Sequence, residues 1–213
     1  MNRGLIIFAR EPVPGRVKTR LAVSIGDGTA AKLYEAMIRN VLKTCREICD
    51  VETVVYWDCD ETSLPLLANL YECLSRRQAA GDLGIRMQSA FEDMFASGYE
   101  FCCIIGSDAP DLPVAYIQEA FNLLTAQKTD TVFGPCRDGG YYLLGMSRFW
   151  PQLFSNIDWS TPQVLQQSLE ATDRTGIKAT LLPEWYDIDT QDDLEIFLTR
   201  NRTHSCSSLV GYL

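Results

Sequence analysis

Residues 8–22 read FAREPVPGRVKTRLA and place Arg10, Arg16, Lys18 and Arg20 within eleven positions, beside Pro12, Pro14 and Gly15. The whole chain carries a net charge of −9, so this gathering of cations runs against its background. The stretch directly follows GLIIF (4–8), an apolar run of buried-strand length. Cations in a Pro/Gly loop at a strand end suit a di- or triphosphate. Backbone N–H groups near Gly15 would meet the phosphate oxygens, with Lys18 and Arg20 behind them to neutralise charge. The loop is not a P-loop, because GRVKT lacks the second glycine that should precede the lysine. The plainer reading is a solvated basic loop making surface ion pairs.

Two acidic stretches could complete such a site. In IIGSDAPDLP (104–113), Asp108 stands just past a second apolar run, with Asp111 three residues on. A carboxylate there is a natural ligand for Mg²⁺ or Mn²⁺, hard ions that take oxygen donors and share them with phosphates. The alternative is that either aspartate caps the turn before Pro113. In YDIDTQDDL (186–194) we read Asp187 and Asp189 as facing opposite ways along an extended segment, and take Asp189 as the one sharing a metal with Asp108. Thr190 with Asp193 three residues later is capping-box-like and structural. RDGGYYLLG (137–145) offers Gly139 and Gly140, either a close approach to a ligand or a hairpin turn. A competing motif is Asp58, Asp60 and Thr62 in YWDCDETSL (56–64), the D-x-D-x-T spacing of haloacid-dehalogenase-like phosphatases. It ends the second strand instead of the first, and leaves the 10–20 cations unused.

Composition narrows the field. The acidic balance argues against general nucleic-acid binding. No apolar run approaches the ~18 residues of a membrane span, and MNRGLIIFAREP is too short in its apolar part for a signal peptide, so we expect a cytoplasmic protein. The sole histidine, His204, lies near the end of the chain, which leaves histidine-based catalysis or zinc binding almost nothing to use. The eight cysteines form no C-x-x-C pair; Cys102 and Cys103 should point to opposite sheet faces. Cys45 and Cys49, four apart on a helix, could share a ligand but read more simply as small apolar side chains.

The elements that must position these residues alternate. Strands are expected at 4–8, 51–57, 101–106, 130–135, 141–146 and 177–182. Helices are expected from Asp27 through Ile48, at 83–98 with Gly98 as stop, from Pro113 to Gln127, at 161–172 with Thr161 as N-cap and Pro162 at the first position, and from Thr190 onward. Residues 61–74 suggest a short helix broken near Pro65. We expect one α/β domain over 1–213, with helices on both faces of a mostly parallel sheet and the ligand at the carboxyl ends of its strands.

FAREPVPGRVKTRLA, GDLGIRMQSAF, IIGSDAPDLP, GPCRDGGYYLLG, DWSTPQVLQQSL and YDIDTQDDL occur in this order over nearly the whole chain. Together they resemble a bacterial family of nucleotide-diphospho-sugar transferases with the GT-A glycosyltransferase fold. That family is more distantly similar to molybdenum-cofactor guanylyltransferase and 2-phospho-lactate guanylyltransferase. The resemblance implies a three-layer α/β/α domain with the nucleotide over Ala9, Arg10, Gly15, Lys18 and Arg20. It puts Gln78, Asp82 and Arg86 near the base, and Asp108 and Asp189 on Mg²⁺ or Mn²⁺. It lines the acceptor side with Asp138, Gly139, Tyr141, Trp159 and Thr161. The chain departs from related enzymes in lacking both the G-x-G-T-R first loop and a D-x-D metal motif. The expected activity is metal-dependent transfer, nucleotidyl or glycosyl, from a nucleotide or nucleotide-sugar donor to a small acceptor, with Lys18, Arg20 and Asp108 as its catalytic groups. The rivals are the phosphatase and a nucleotide-binding module without turnover.

Overall fold

A computed structural model describes residues 2–201; His204 and Cys206 lie outside them. In chain order the described elements are β1 (Arg3–Arg10), α1 (Thr19–Ile25), α2 (Asp27–Cys45), β2 (Val51–Asp58), α3 (Leu64–Tyr71), β3 (Leu74–Arg77), α4 (Leu83–Ala96), β4 (Phe101–Gly106), α5 (Val114–Thr125), β5 (Thr131–Pro135), β6 (Tyr141–Met146), a 3-10 turn (Pro151–Phe154), α6 (Val164–Thr175), β7 (Ala179–Leu181) and α7 (Gln191–Arg200). The strands form one sheet in the order β3-β2-β1-β4-β6-β5-β7. Only β6 runs antiparallel to its neighbours.

The sheet is covered on both faces, and strand periodicity divides the core accordingly. Leu5, Ile7 and Ala9 of β1 pack with Val55, Trp57, Cys103 and Ile105 beneath α1, α2, α3, α5 and α7. Ile6 packs on the other face with Val54, Tyr56, Cys102 and Ile104, against α4, the 3-10 turn and α6. Cys102 and Cys103 thus fall on opposite faces, as the sequence predicts. Cys45 is buried in the core, whereas Cys49 is exposed.

Several boundaries differ from the sequence reading. Pro65 opens α3 at its first turn and does not break it. The edge strand β3 and the short α1 were not expected. Strand β7 is three residues, half the expected run. Helix α6 begins at Val164, and Thr161 is not its N-cap. The Thr161 hydroxyl instead donates to the Asp158 carbonyl at 2.7 Å, and Leu165 N–H donates to the Gly139 carbonyl at 3.0 Å. That contact with the β5–β6 hairpin sets where the helix can start.

Candidate functional site

The carboxyl ends of β1 and β4 open into a cavity of about 820 Å³, the place where open α/β sheets bind ligands. Phe8, Ala9 and Arg10 line it with Ile104 through Ala109, Lys18 enters from the residue just before α1, and Arg20 from its first turn. Lys18 is its central charge. Its Nζ lies 2.5 Å from Asp108 Oδ1 and 2.9 Å from Asp189 Oδ1. The lysine side chain is only 4% exposed, whereas the two carboxylates are 40% and 47% exposed. Burial works against the ammonium, but the Asp108 and Asp189 charges outweigh it and hold the lysine protonated well above its ordinary range. Lys18 also sits at φ +47°, a left-handed conformation that is uncommon outside glycine and concentrates at functional sites.

Three devices hold this triad. The buried Tyr34 hydroxyl accepts from Arg10 N–H at 3.0 Å and meets the Ser107 hydroxyl at 2.7 Å, bolting the ends of β1 and β4 together. Burial, followed by the Asp108 charge, pushes the Tyr34 hydroxyl up to about 12, so it stays a neutral bolt. Its ring lies 5.8 Å from Lys18 Nζ. Next, Ile188 N–H donates to the Asp108 carbonyl at 3.0 Å and lays the 186–189 segment beside Asp108. Finally, Thr190 and Asp193 form a reciprocal capping box on α7, and Asp193 Oδ2 also accepts from Asp189 N–H at 3.2 Å. The cap therefore fixes the backbone of a site residue.

Thr190→Ala should cost about 1 kcal/mol by urea unfolding. Asp193 adds a pH dependence: burial raises its carboxyl, but bonds from Thr190 and Asp189, with the Arg20 charge, lower it on balance. A carboxylate lowered in the folded state stabilises above its unfolded pKa and loses that contribution as pH falls through the folded value. The difference between wild type and Asp193→Asn should therefore be full at neutral pH and shrink below about pH 4.

Gln78, Asp82 and Arg86, the residues expected near the base, all line the cavity. Gln78 Nε2 donates to the carbonyls of Ala9 and Tyr56, at 3.2 and 2.9 Å, and Asp82 caps α4 by accepting from Ile85 N–H. Arg86 is held by Asp58 at 2.8 Å. Asp58 and Asp60 line an adjoining pocket of about 320 Å³ with Arg10 and Arg16, one that shares Arg10 with the larger cavity and does not include Asp108. The phosphatase reading thus has its first aspartate engaged as an arginine partner. Asp58→Asn should lower stability by less than ~1 kcal/mol, since the pair is partly exposed. If nucleotide binds beside Arg86 as the sequence leads one to expect, the same substitution should also weaken its stabilisation of the fold by releasing Arg86, a change a thermal-shift titration would read.

The opposite wall brings Asp138, Tyr141, Trp159 and Thr161 together with Asp187. Asp187 and Asp189 both line the cavity, contrary to the reading that they face opposite ways: residues two apart on an extended chain share a side. Burial first, then the Asp108 charge, pushes the Asp187 carboxyl up to about 7, with Lys18 opposing. Cys136, Asp138 and Asp187 bring ligand atoms within 4.8 Å of one another. Two expected residues do not line the cavity. Gly15, at φ +78°, makes a turn beside Asp27. Gly139, at φ +88°, packs against the Pro162 backbone. Asp111 lies outside as well, accepting from Tyr186 and Asn201 to anchor the end of α7. Tyr34 and Ser107 are the site residues the sequence did not mark.

A family model described as "Uncharacterized protein conserved in bacteria (DUF2064)" matches residues 41–161. No curated protein matches the chain. Among solved structures, a proposed nucleotide-diphospho-sugar transferase from Desulfovibrio desulfuricans G20 is 32% identical, with a TM-score of 0.91 over 98% of this chain and 94% of that one. CMP:2-keto-3-deoxy-manno-octonic acid synthetase complexed with CTP has a TM-score of 0.61 at 13% identity, covering 94% and 98%. A Mycobacterium tuberculosis H37Rv protein complexed with manganese has a TM-score of 0.59 at 11% identity, covering 93% and 99%. The last two likenesses concern the fold alone. Among the described residues no helix is long and apolar enough to cross a membrane.

Proposed function

Because the chain belongs to the DUF2064 family of bacterial proteins and shares its fold with transferases, we propose that it is a metal-dependent transferase using a nucleotide or nucleotide-sugar donor. The observation that carries this reading is the Lys18–Asp108–Asp189 triad at the carboxyl ends of β1 and β4. Asp108 and Asp189 suit Mg²⁺ or Mn²⁺: both offer hard oxygen donors, and a cation, the Lys18 ammonium, already lies between them. When bound there, the ion would supply charge neutralisation at the phosphates.

The chain's own residues do the rest. Lys18 and Arg20 stabilise negative charge gathering on the departing phosphates. Gln78 and Arg86 shape the donor end, while Asp138, Tyr141, Trp159 and Thr161 face the acceptor. No protein nucleophile is required, because positioning and electrostatics account for most of catalysis in phosphoryl chemistry.

Thermal-shift screening of nucleoside di- and triphosphates and nucleotide sugars, with and without Mg²⁺ or Mn²⁺, tests the proposal. Binding to the native state raises apparent stability by mass action. A metal-dependent hit names the donor. Release of pyrophosphate or of nucleoside diphosphate in its presence then separates nucleotidyl from glycosyl transfer. Stabilisation by nucleotide that chelator and Asp108→Ala leave unchanged would point to a binding module, and stabilisation by none would defeat the proposal.

A further inference from the structure

We propose that Lys18 is the resident cation of the metal site: in the free protein its ammonium fills the space between Asp108 and Asp189, and a divalent ion takes that space only as polyphosphate draws the lysine away. This rests on the nucleotide-donor reading and adds an obligatory coupling between metal and polyphosphate.

One ammonium contacts Oδ1 of both aspartates, at 2.5 and 2.9 Å, and so occupies the space between them that a metal shared by those two oxygens would take. A divalent ion would bind those oxygens at about 2.0–2.1 Å and would meet the unmoved ammonium at once, cation against cation. The arrangement is built in. The Lys18 backbone is fixed at φ +47°, with its carbonyl accepting from Ala22 N–H at 2.8 Å as α1 begins. Its side chain is almost wholly buried, and Tyr34 packs beside it. The backbone is held, so exchange requires only rotation of the flexible lysine stem.

Polyphosphate supplies what that rotation needs. Its oxygens, arriving beside Arg20, give the ammonium new anionic partners, and a metal then compensates the two aspartates it leaves. Each ligand therefore favours the other. Linkage makes the effect equal in both directions, in the usual range of about 5–150-fold.

The test is Mn²⁺ titration, by calorimetry and by the paramagnetic signal of free Mn²⁺, into full-length wild type, Lys18→Met and Lys18→Gln without nucleotide. Circular dichroism would confirm each fold, and either variant suffices if the other fails to fold. The expected result is one Mn²⁺ bound at least about tenfold more tightly by the variants than by wild type, with the gain abolished by adding Asp108→Asn. Equal affinity in wild type and variants, or no Mn²⁺ binding in a folded variant, overturns the proposal. The nucleotide thermal-shift screen on wild type tells its failure from that of the donor reading. A metal-dependent hit there keeps the donor reading even when Lys18 proves not to be the occupant.

Discussion

Asp108→Asn should yield a folded protein whose transfer activity has fallen by at least about a hundredfold, the scale on which single preorganised electrostatic groups act. The fold should survive because the substitution keeps shape and the backbone contacts are untouched: the Asp108 carbonyl still accepts from Ile188, and Ser107 still meets Tyr34. Lys18 keeps a carboxylate partner in Asp189 at 2.9 Å, so no buried ammonium is stranded. The variant loses a negative oxygen from the proposed metal and phosphate site. The deficit should appear in two measurements with different causes: turnover of the donor found by screening, and the metal-dependent part of its thermal stabilisation. A folded Asp108→Asn protein with metal-dependent stabilisation undiminished would remove Asp108 from the proposed site, whatever happened to turnover.

The parts of this site that could be read from the sequence are those written in short-range contrast. Strands β1 and β4 are apolar runs buried on both faces, so their ends, and the charged loops beyond them, were visible. Lys18 stood out because its cluster opposes the net charge. Tyr34 did not, because in α2 it occupies a regular core position of an amphipathic helix. Its hydroxyl acquires a task only when β1 and β4, about a hundred residues apart, end side by side. Asp187 was legible in principle: on an extended segment it and Asp189 share a side, and the error was one of period. Strand β3, LSRR, carries little apolar signal because it is an edge strand paired only with β2. Thr161-Pro162 has the local signature of a helix start, but the helix begins two residues on, where Leu165 N–H bonds to the Gly139 carbonyl of the β5–β6 hairpin.

The same contact gives the largest expected loss of stability. Gly139→Ala should cost roughly 2–5 kcal/mol, combining backbone strain with overpacking. At φ +88° the residue occupies a conformation that L side chains rarely adopt, and its new Cβ would be driven into the Pro162 carbonyl, a backbone group with little freedom to yield. The neighbouring bonds cannot simply be given up. Gly139 N–H donates to the Cys136 carbonyl at 3.1 Å, and its own carbonyl receives Leu165 N–H at the first turn of α6. Relieving the clash would separate the hairpin carrying Asp138 from the loop carrying Trp159 and Thr161, splitting that wall of the cavity. Gly140→Ala is the control. Its φ is ordinary and its Cβ would meet only the Asp138 carboxylate at 3.2 Å, so its effect should stay near 1 kcal/mol or less. Urea midpoints for the two variants should therefore differ clearly. In whatever Gly139→Ala protein remains folded, nucleotide-induced stabilisation should persist, because Ala9, Lys18 and Gln78 stand on elements the hairpin does not support. A Gly139→Ala protein as stable as Gly140→Ala would mean that the hairpin and the Pro162 turn are not locked together, and that this wall of the cavity is set by other contacts.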